Sequence, residues 1–399
     1  YCVRQFMKLF KSLLVAPATL GLLAPMTATA NELNLKDVSG YSSSEEVQNI
    51  SEFNPAEELA VTNSRVDGLE ARLNNFEAGS FSETTTASFS ADMYLGAVTG
   101  GPDNGAGNAI GDGTMAGYSF QIDLNTSFTG EDSLDISLDA GNAGATGIVE
   151  FGGNSGGDGL SVDGVSYTFP LGDKTTVIVG DNTDGSALFT TACSYGGPSD
   201  TLDDCGNVNA GITNGGAMAG ASYDFGNGLT TAVGYAAGES DMATGLMTKE
   251  TLDAYGVNAA YTGDNYGFSV TYGLVETSSA DEDTFTAFNG YYAPEGFPSI
   301  SVGYEIGEDG SVTDKTADEL TSFFVGLQWD EFGPGTAGIA IGTKTPTVEK
   351  TDEQYMYEAF YSYPLNDGMT ITPLVFIQEN ATAGLEDTTG IMVKTSFSF

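Results

Sequence analysis

The chain has 399 residues, with 55 Asp and Glu against 12 Lys and Arg, a formal net charge of −43. Phosphate binding needs basic residues, so this balance excludes a nucleic-acid partner. His is absent, which removes the commonest general base and metal ligand and with them a His-dependent hydrolase or a His-ligated zinc site. No enzyme, metal or cofactor is expected. Charged residues make up 17% and aromatics 11%. Such an aromatic share argues against disorder.

The chain opens on a targeting pattern over residues 1–30. Met7-Lys8-Leu9-Phe10-Lys11 is a basic start, residues 13–23 are apolar, and Ala28-Thr29-Ala30 is an A-x-A cleavage signal. This reads as a secretory signal peptide starting at Met7. The apolar run is too short for a transmembrane helix. Residues 31–54 are polar, acidic and without period, and are expected to be a periplasmic spacer.

Over residues 55–79 the period changes. Leu59, Thr62, Val66, Leu69, Leu73 and Phe76 recur at alternating spacings of three and four, a heptad seam. Asn54-Pro55 is a cap followed by Pro, and Gly79 is a stop. One amphipathic helix is expected. Three heptads are marginal alone in water, so the seam predicts either association in a parallel bundle of two or three or packing on the main domain.

Residues 84–399 alternate with a period of two throughout. Phe89, Ala91, Met93 and Leu95 interleave with Ser90, Asp92 and Tyr94; Phe120, Ile122 and Leu124 interleave with Gln121, Asp123 and Asn125. Further runs follow at residues 134–138, 255–261, 266–274, 300–306, 323–329, 355–363 and 391–399. Each is a strand with one apolar and one small or polar face. Seven short connections (129–132, 170–174, 226–228, 263–265, 294–298, 331–335, 365–367) alternate with eight long ones (100–115, 141–159, 183–216, 239–251, 277–284, 308–319, 344–353, 380–387). Fifteen connections join sixteen strands. An even strand number with short turns on one rim and long loops on the other describes an all-β, antiparallel, outer-membrane barrel.

A sheet in hydrocarbon must close on itself to pair its backbone. The apolar alternates are then expected to face lipid and the polar ones the lumen, with Tyr118, Tyr261, Tyr266, Tyr272, Tyr304 and Trp329 in interfacial girdles. At sixteen strands wall side chains alone leave an aqueous channel.

The ending Gly390-Ile391-Met392-Val393-Lys394-Thr395-Ser396-Phe397-Ser398-Phe399 resembles the last strand of outer-membrane barrels, whose terminal Phe and alternating apolar residues are read by the barrel-assembly machinery. The runs Tyr357-Glu358-Ala359-Phe360-Tyr361 and Met369-Thr370-Ile371-Thr372-Pro373 are similar to the C-terminal region of cyanobacterial porins of the carbohydrate-selective OprB-type group. So are Phe324-Val325-Gly326-Leu327-Gln328-Trp329 and residues 337–342. The resemblance covers most of the barrel and is strongest after about Ser299. It implies an outer-membrane location, a homotrimer, a periplasmic stalk and a role for Phe397 and Phe399 in assembly. The spacer is too short for the surface-layer-homology domain common in that group, so wall anchoring through it is not implied.

From residue 84 onward there are six Lys and no Arg. An acidic lumen is expected to favour cations through its focused potential. By strand parity, Asp92, Asp123, Asp135, Asp139 and Glu305 face inward. The longest connection, 183–216, is the third on its rim; in general porins that loop folds inward. Its Asp184, Asp200, Asp203 and Asp204 are the expected constriction acids. Cys193 and Cys205 in the same loop are expected to pair once exported. The function expected is passive diffusion of inorganic ions and small hydrophilic solutes. The alternative is a non-conducting anchor whose loops serve as an adhesin or phage receptor.

Overall fold

A computed structural model describes residues 84–100, 113–143, 157–213, 215–238, 245–248, 252–277, 281–312, 318–349, 351–380 and 386–399. The signal-peptide pattern, the spacer and the helix seam from Leu59 to Phe76 lie outside the described residues.

The strands are β1 (Thr85–Thr99), β2 (Gly113–Thr126), β3 (Ser133–Gly141), β4 (Gly157–Pro170), β5 (Thr175–Asp181), β6 (Met218–Asp224), β7 (Leu229–Ala237), β8 (Asp253–Thr262) and β9 (Tyr266–Glu276). They continue as β10 (Glu282–Tyr292), β11 (Ser299–Glu308), β12 (Glu319–Phe332), β13 (Gly335–Thr343), β14 (Thr347–Val348), β15 (Tyr355–Asn366), β16 (Met369–Gln378) and β17 (Thr388–Ser398). Each pairs antiparallel with its sequence neighbour, except that β13 pairs directly with β15. The two-residue β14 sits within a long connection and caps the end of β12. The remaining sixteen strands close when β1 pairs with β17 from Ser90↔Ser398 to Thr99↔Thr389. Closure leaves the sheet without an edge strand.

Registers fix the two faces. Val257 lies opposite Val233 and Tyr272, and Ile339 opposite Leu327 and Ala359, all on the outside. Met93 and Leu95 are 59% and 55% exposed on that face. The outward carboxylates Asp158 and Asp181 stand at the long-connection ends of their strands, where Tyr118 donates to Asp158 at 2.7 Å. The short-turn rim carries paired outward rings: Phe89 on Phe399, Tyr167 on Phe169, Tyr223 on Phe225, Tyr261 on Phe268 and Tyr361 on Tyr363. Of the six aromatics expected in girdles, Tyr261, Tyr266 and Trp329 lie toward that rim. Tyr118 lies toward the other, while Tyr272 and Tyr304 are mid-strand, where burial on an apolar face suits a ring as well as a rim does.

The inner face is less polar than alternation alone suggests. Tyr94, Val98, Phe324, Met356, Phe360, Leu374, Phe376 and Met392 point inward and form one buried cluster with Tyr195, Leu202 and Cys205 of the 183–216 connection. Glycines opposite the rings make room. A Cβ at Gly390 would come within 2.1 Å of the Phe376 ring, and one at Gly338 within 2.2 Å of Phe360. The rings cover the gap that glycine leaves on the neighbouring strand.

The first short turn is knotted by Asp132. Its Oδ1 accepts from the Phe128 and Thr129 amides and from the Ser127 and Thr129 hydroxyls, and its Oδ2 from Tyr167 OH at 2.7 Å. The Tyr167 hydroxyl, with these turn donors, holds the carboxyl well below the usual carboxylate range despite its burial.

Candidate constriction and lumen

The connection between β5 and β6 runs along the inside of the barrel wall. Its backbone is met by short polar wall side chains at one level after another. On β8, Asn258 Oδ1 accepts from the Thr190 amide at 3.0 Å and its Nδ2 donates to the Thr190 carbonyl. On β9 and β11, Ser269 and Ser301 accept from the Ala192 and Ser194 amides at 2.9 Å. On β10, Asn289 donates to the Cys205 carbonyl at 2.8 Å; on β12, Ser322 donates to the Gly206 carbonyl at 3.1 Å and Gln328 accepts from the Gly196 amide. These bonds answer the requirement that a buried loop pair its backbone.

Glu305 is the strongest of these holds. Its Oε2 accepts from the Asn209 and Ala210 amides and its Oε1 from Asn209 Nδ2, all at 2.8 Å. Sequence parity places Glu305 among acids that line open water. Its inward direction agrees, but the side chain is only 2% exposed beneath the loop. A carboxylate under a loop whose amides point at it becomes an anchor, because charge-assisted bonds are stronger than neutral ones. On β15, Glu358 takes a similar place and accepts from Tyr195 OH. Strand alternation marks both as inward but carries no signal for what covers them.

The loop is cross-braced by a disulfide between Cys193 and Cys205, with Cα atoms 6.4 Å apart. Between and beside these cysteines stand the four loop acids. Asp184, Asp200, Asp203 and Asp204 are all exposed, yet they face an enclosed interior rather than bulk solvent. That enclosure raises the carboxyl pKa values of Asp184, Asp203 and Asp204. Asp204 is pushed up to about 7, first by burial and then by Asp203, Asp200, Glu305 and Asp184. Asp203 is pushed up to about 6 by burial and Asp200. Asp184 is raised by burial and by Asp163 on the adjoining β4. No basic group enters any of these causes.

The wall acids sit on β1–β4. Asp92 lies opposite Ser119, with Tyr94 OH donating to it at 3.3 Å. Asp123 accepts from Gln121 and Ser137, Asp135 from Asn125 and Ser133, and Asp139 from Ser161. A fifth acid, Asp163, belongs with them. Ser137 pairs with Gly164 but Leu138 with Val162, so Asp163 is the extra residue of a bulge in β4. Its charge lies within reach of Asp139 and Asp123. Strict alternation misses it, because a bulge breaks the period at the residue that matters. Among the described residues, Lys394 on β17 is the single lysine on the inner wall, across the seam from Tyr94. Three or more metal-ligating side chains do not come together among the described residues.

No protein-family model matches the chain. An uncharacterised protein of Nostoc sp. is 26% identical over 446 residues, covering 94% of this chain and 74% of that protein. An uncharacterised protein of Synechocystis sp. is also 26% identical, over 404 residues that cover 84% of this chain and 72% of that one. Among solved structures, a triple mutant of Rhodopseudomonas blastica porin superposes with a TM-score of 0.53 at 15% identity, covering 79% of this chain and all of that porin. A second mutant of the porin gives 0.54 at 15% identity, with the same coverage. The described barrel therefore has the sixteen-stranded fold of porins, and its curated sequence relatives are cyanobacterial.

Proposed function

We propose that this chain is an outer-membrane channel for passive diffusion of inorganic ions and small hydrophilic solutes, with a preference for cations. One observation carries the reading: a closed sixteen-stranded cylinder whose mid-strand outer positions are apolar and whose mid-strand carboxylates, among them Asp92, Asp123, Asp135, Asp139 and Glu305, project inward. Lipid wets the first surface and water the second. The acids of the β1–β4 wall and of the inner loop give the interior one sign of charge, which concentrates cations and repels anions.

The finer parts of the proposal rest on sequence and resemblance. The chain is a member of the carbohydrate-selective OprB-type porin group. Residues 1–30 direct export, the 55–79 helix forms a stalk that joins a homotrimer, and Phe397 and Phe399 are read by the barrel-assembly machinery. The long connections face outward and both mature termini lie in the periplasm. The reading of a non-conducting anchor, adhesin or phage receptor is the alternative that conduction excludes.

The test is the zero-current potential of purified protein in a planar bilayer across a salt gradient. Cation preference gives the sign of the cation's equilibrium potential; a value near zero or of opposite sign overturns it.

Adjacent residues on β2 test the two faces. Ile122→Arg places a charge toward lipid and is expected to cost about 2–4 kcal/mol of folding free energy in bilayers. Gln121→Arg points inward and is expected to fold as wild type while weakening cation preference. Denaturant titration in vesicles reads the first effect, and the zero-current potential reads the second. Equal destabilisation by both would contradict the assignment of faces.

A further inference from the structure

The loop does not cover the interior evenly. From β8 to β16 the mid-strand inner positions are buried: Ala254, Asn258 and Ala260 on β8, Ser269 and Thr271 on β9, and onward to Thr372, Leu374 and Phe376 on β16. Polar loop–wall bonds fill part of that arc and the apolar cluster around Phe324, Phe360 and Met392 fills the rest. Upper β1 is closed by Tyr94 and Val98, while Ile178, Met218 and Ala236, with Leu188 of the loop, close the arc from β5 to β7.

The wall of β2, β3 and β4 is different. On β2 the inward residues Gly117, Ser119, Gln121, Asp123 and Asn125 are all at least partly accessible. On β3 the same holds from Ser133 to Asp139, and on β4 Ser161 and Asp163 are exposed. Among the described residues these inner side chains stay accessible through the middle of the barrel, and beside them Ser88, Ser90 and Asp92 of β1 and Lys394 and Ser396 of β17 are accessible too.

We infer that permeation follows this single side of the lumen, and that the route is built for hydrated cations rather than for sugars. The inference rests on the channel reading above and adds the path and the solute class. The registers set the acids out as a staircase. Asp135 is level with Asn125, Asp123 is two residues higher, and Asp139 is level with Gln121, two residues higher again. Two residues of strand are about 7 Å, and the screening length at physiological salt is about 8 Å. Each carboxylate's field therefore overlaps the next. Asp123 takes donors from Gln121 and Ser137, and Asp135 from Asn125 and Ser133, all neutral side chains. Asp163 of the β4 bulge and the loop's Asp184, which follows the Asn182–Thr183 stretch packed against Gly164, extend this run of acids at the upper part of the path. The strands β2, β3 and β4 carry no basic residue, so their acids give a potential well along the path. The inward residues of these three strands include no aromatic ring, so a sugar has no flat apolar surface to stack on.

Single-cysteine scanning separates this path from the channel reading. Gln121→Cys and Ser137→Cys lie on the open sector, and Thr271→Cys and Thr372→Cys on the covered one; Cys193 and Cys205 are already paired. Each variant is first shown to fold by its heat-dependent gel mobility, then exposed in a bilayer to a cationic methanethiosulfonate reagent. Gln121→Cys and Ser137→Cys are expected to react and lose at least half their conductance, while Thr271→Cys and Thr372→Cys stay unchanged. The Asp123→Asn, Asp139→Asn double variant is expected to lower the cation-to-anion permeability ratio at least twofold. Conductance with the covered positions reactive, or with the open ones inert, overturns the one-sided route and leaves the channel standing. A conducting protein whose selectivity ignores Asp123 and Asp139, or which passes uncharged sugar as readily as potassium, overturns the solute class. Unmodified protein that inserts without conducting overturns the channel reading itself.

Discussion

Glu305→Ala is expected to open the channel. The carboxylate holds three donors at 2.8 Å, two of them backbone amides of the loop. Bonds to a charged group contribute about 1.5–3 kcal/mol each, and removing the acceptor also strands two buried amides. Docking of the 209–210 stretch should therefore weaken by about 3 kcal/mol or more. The rest of the loop keeps its own holds through Asn258, Ser269, Ser301 and Tyr195, so partial release is expected rather than loss of the barrel. Single-channel conductance should rise roughly twofold with added open-channel noise, and protease should cut the loop in folded protein. Glu305→Gln retains one acceptor oxygen and should fall between the two. Wild-type conductance and protease resistance in Glu305→Ala would show that this side chain does not hold the loop.

Acidification is expected to act on the loop as well. Asp203 and Asp204 stand at about 6 and about 7, raised first by burial and then by neighbouring carboxylates. They interact, so the pair titrates in macroscopic steps over that range rather than residue by residue. The groups facing them are Asp200, Asp184, Glu305 and Glu358, all acids. Between pH 8 and pH 5 the loop should lose up to two negative charges. Cation preference should fall with a midpoint between pH 6 and pH 7, and the Asp203→Asn, Asp204→Asn variant should lose that midpoint. The sign for stability follows from the direction of the shift. A carboxyl whose folded pKa is raised favours the folded loop below its unfolded pKa, and that contribution is lost as pH rises through 6 and 7. Loop docking, read by protease resistance, should thus be firmer at pH 5 than at pH 8. Weaker docking at pH 5 would contradict the assignment.

The strands were legible because their signal is local. Period-two alternation marks β1, β2, β3, β8, β9, β11, β12, β15 and β17, and the alternation of short and long connections places the strands between them. Inward parity of Asp92, Asp123, Asp135, Asp139 and Glu305 follows from the same period. What lies between distant residues was not legible. The burial of Glu305 depends on a loop about a hundred residues earlier in the chain. The inward Asp163 depends on a bulge that alternation has no means to mark. The cluster around Met392, Phe360 and Tyr195 gathers β1, β12, β15, β16, β17 and the loop, so no window of sequence contains it. The segment over Thr347–Val348 looks like loop because two residues are too few to show a period.

Whether water runs through the cylinder is read most directly by single-channel recording of the purified, folded protein in a planar bilayer. A barrel wetted by lipid outside and by water along β2–β4 gives discrete, lasting conductance steps that scale with salt concentration. Protein that inserts with its folded gel mobility and gives a silent trace at every salt concentration and pH would mean that loop and apolar cluster close the interior, and that the barrel is an anchor.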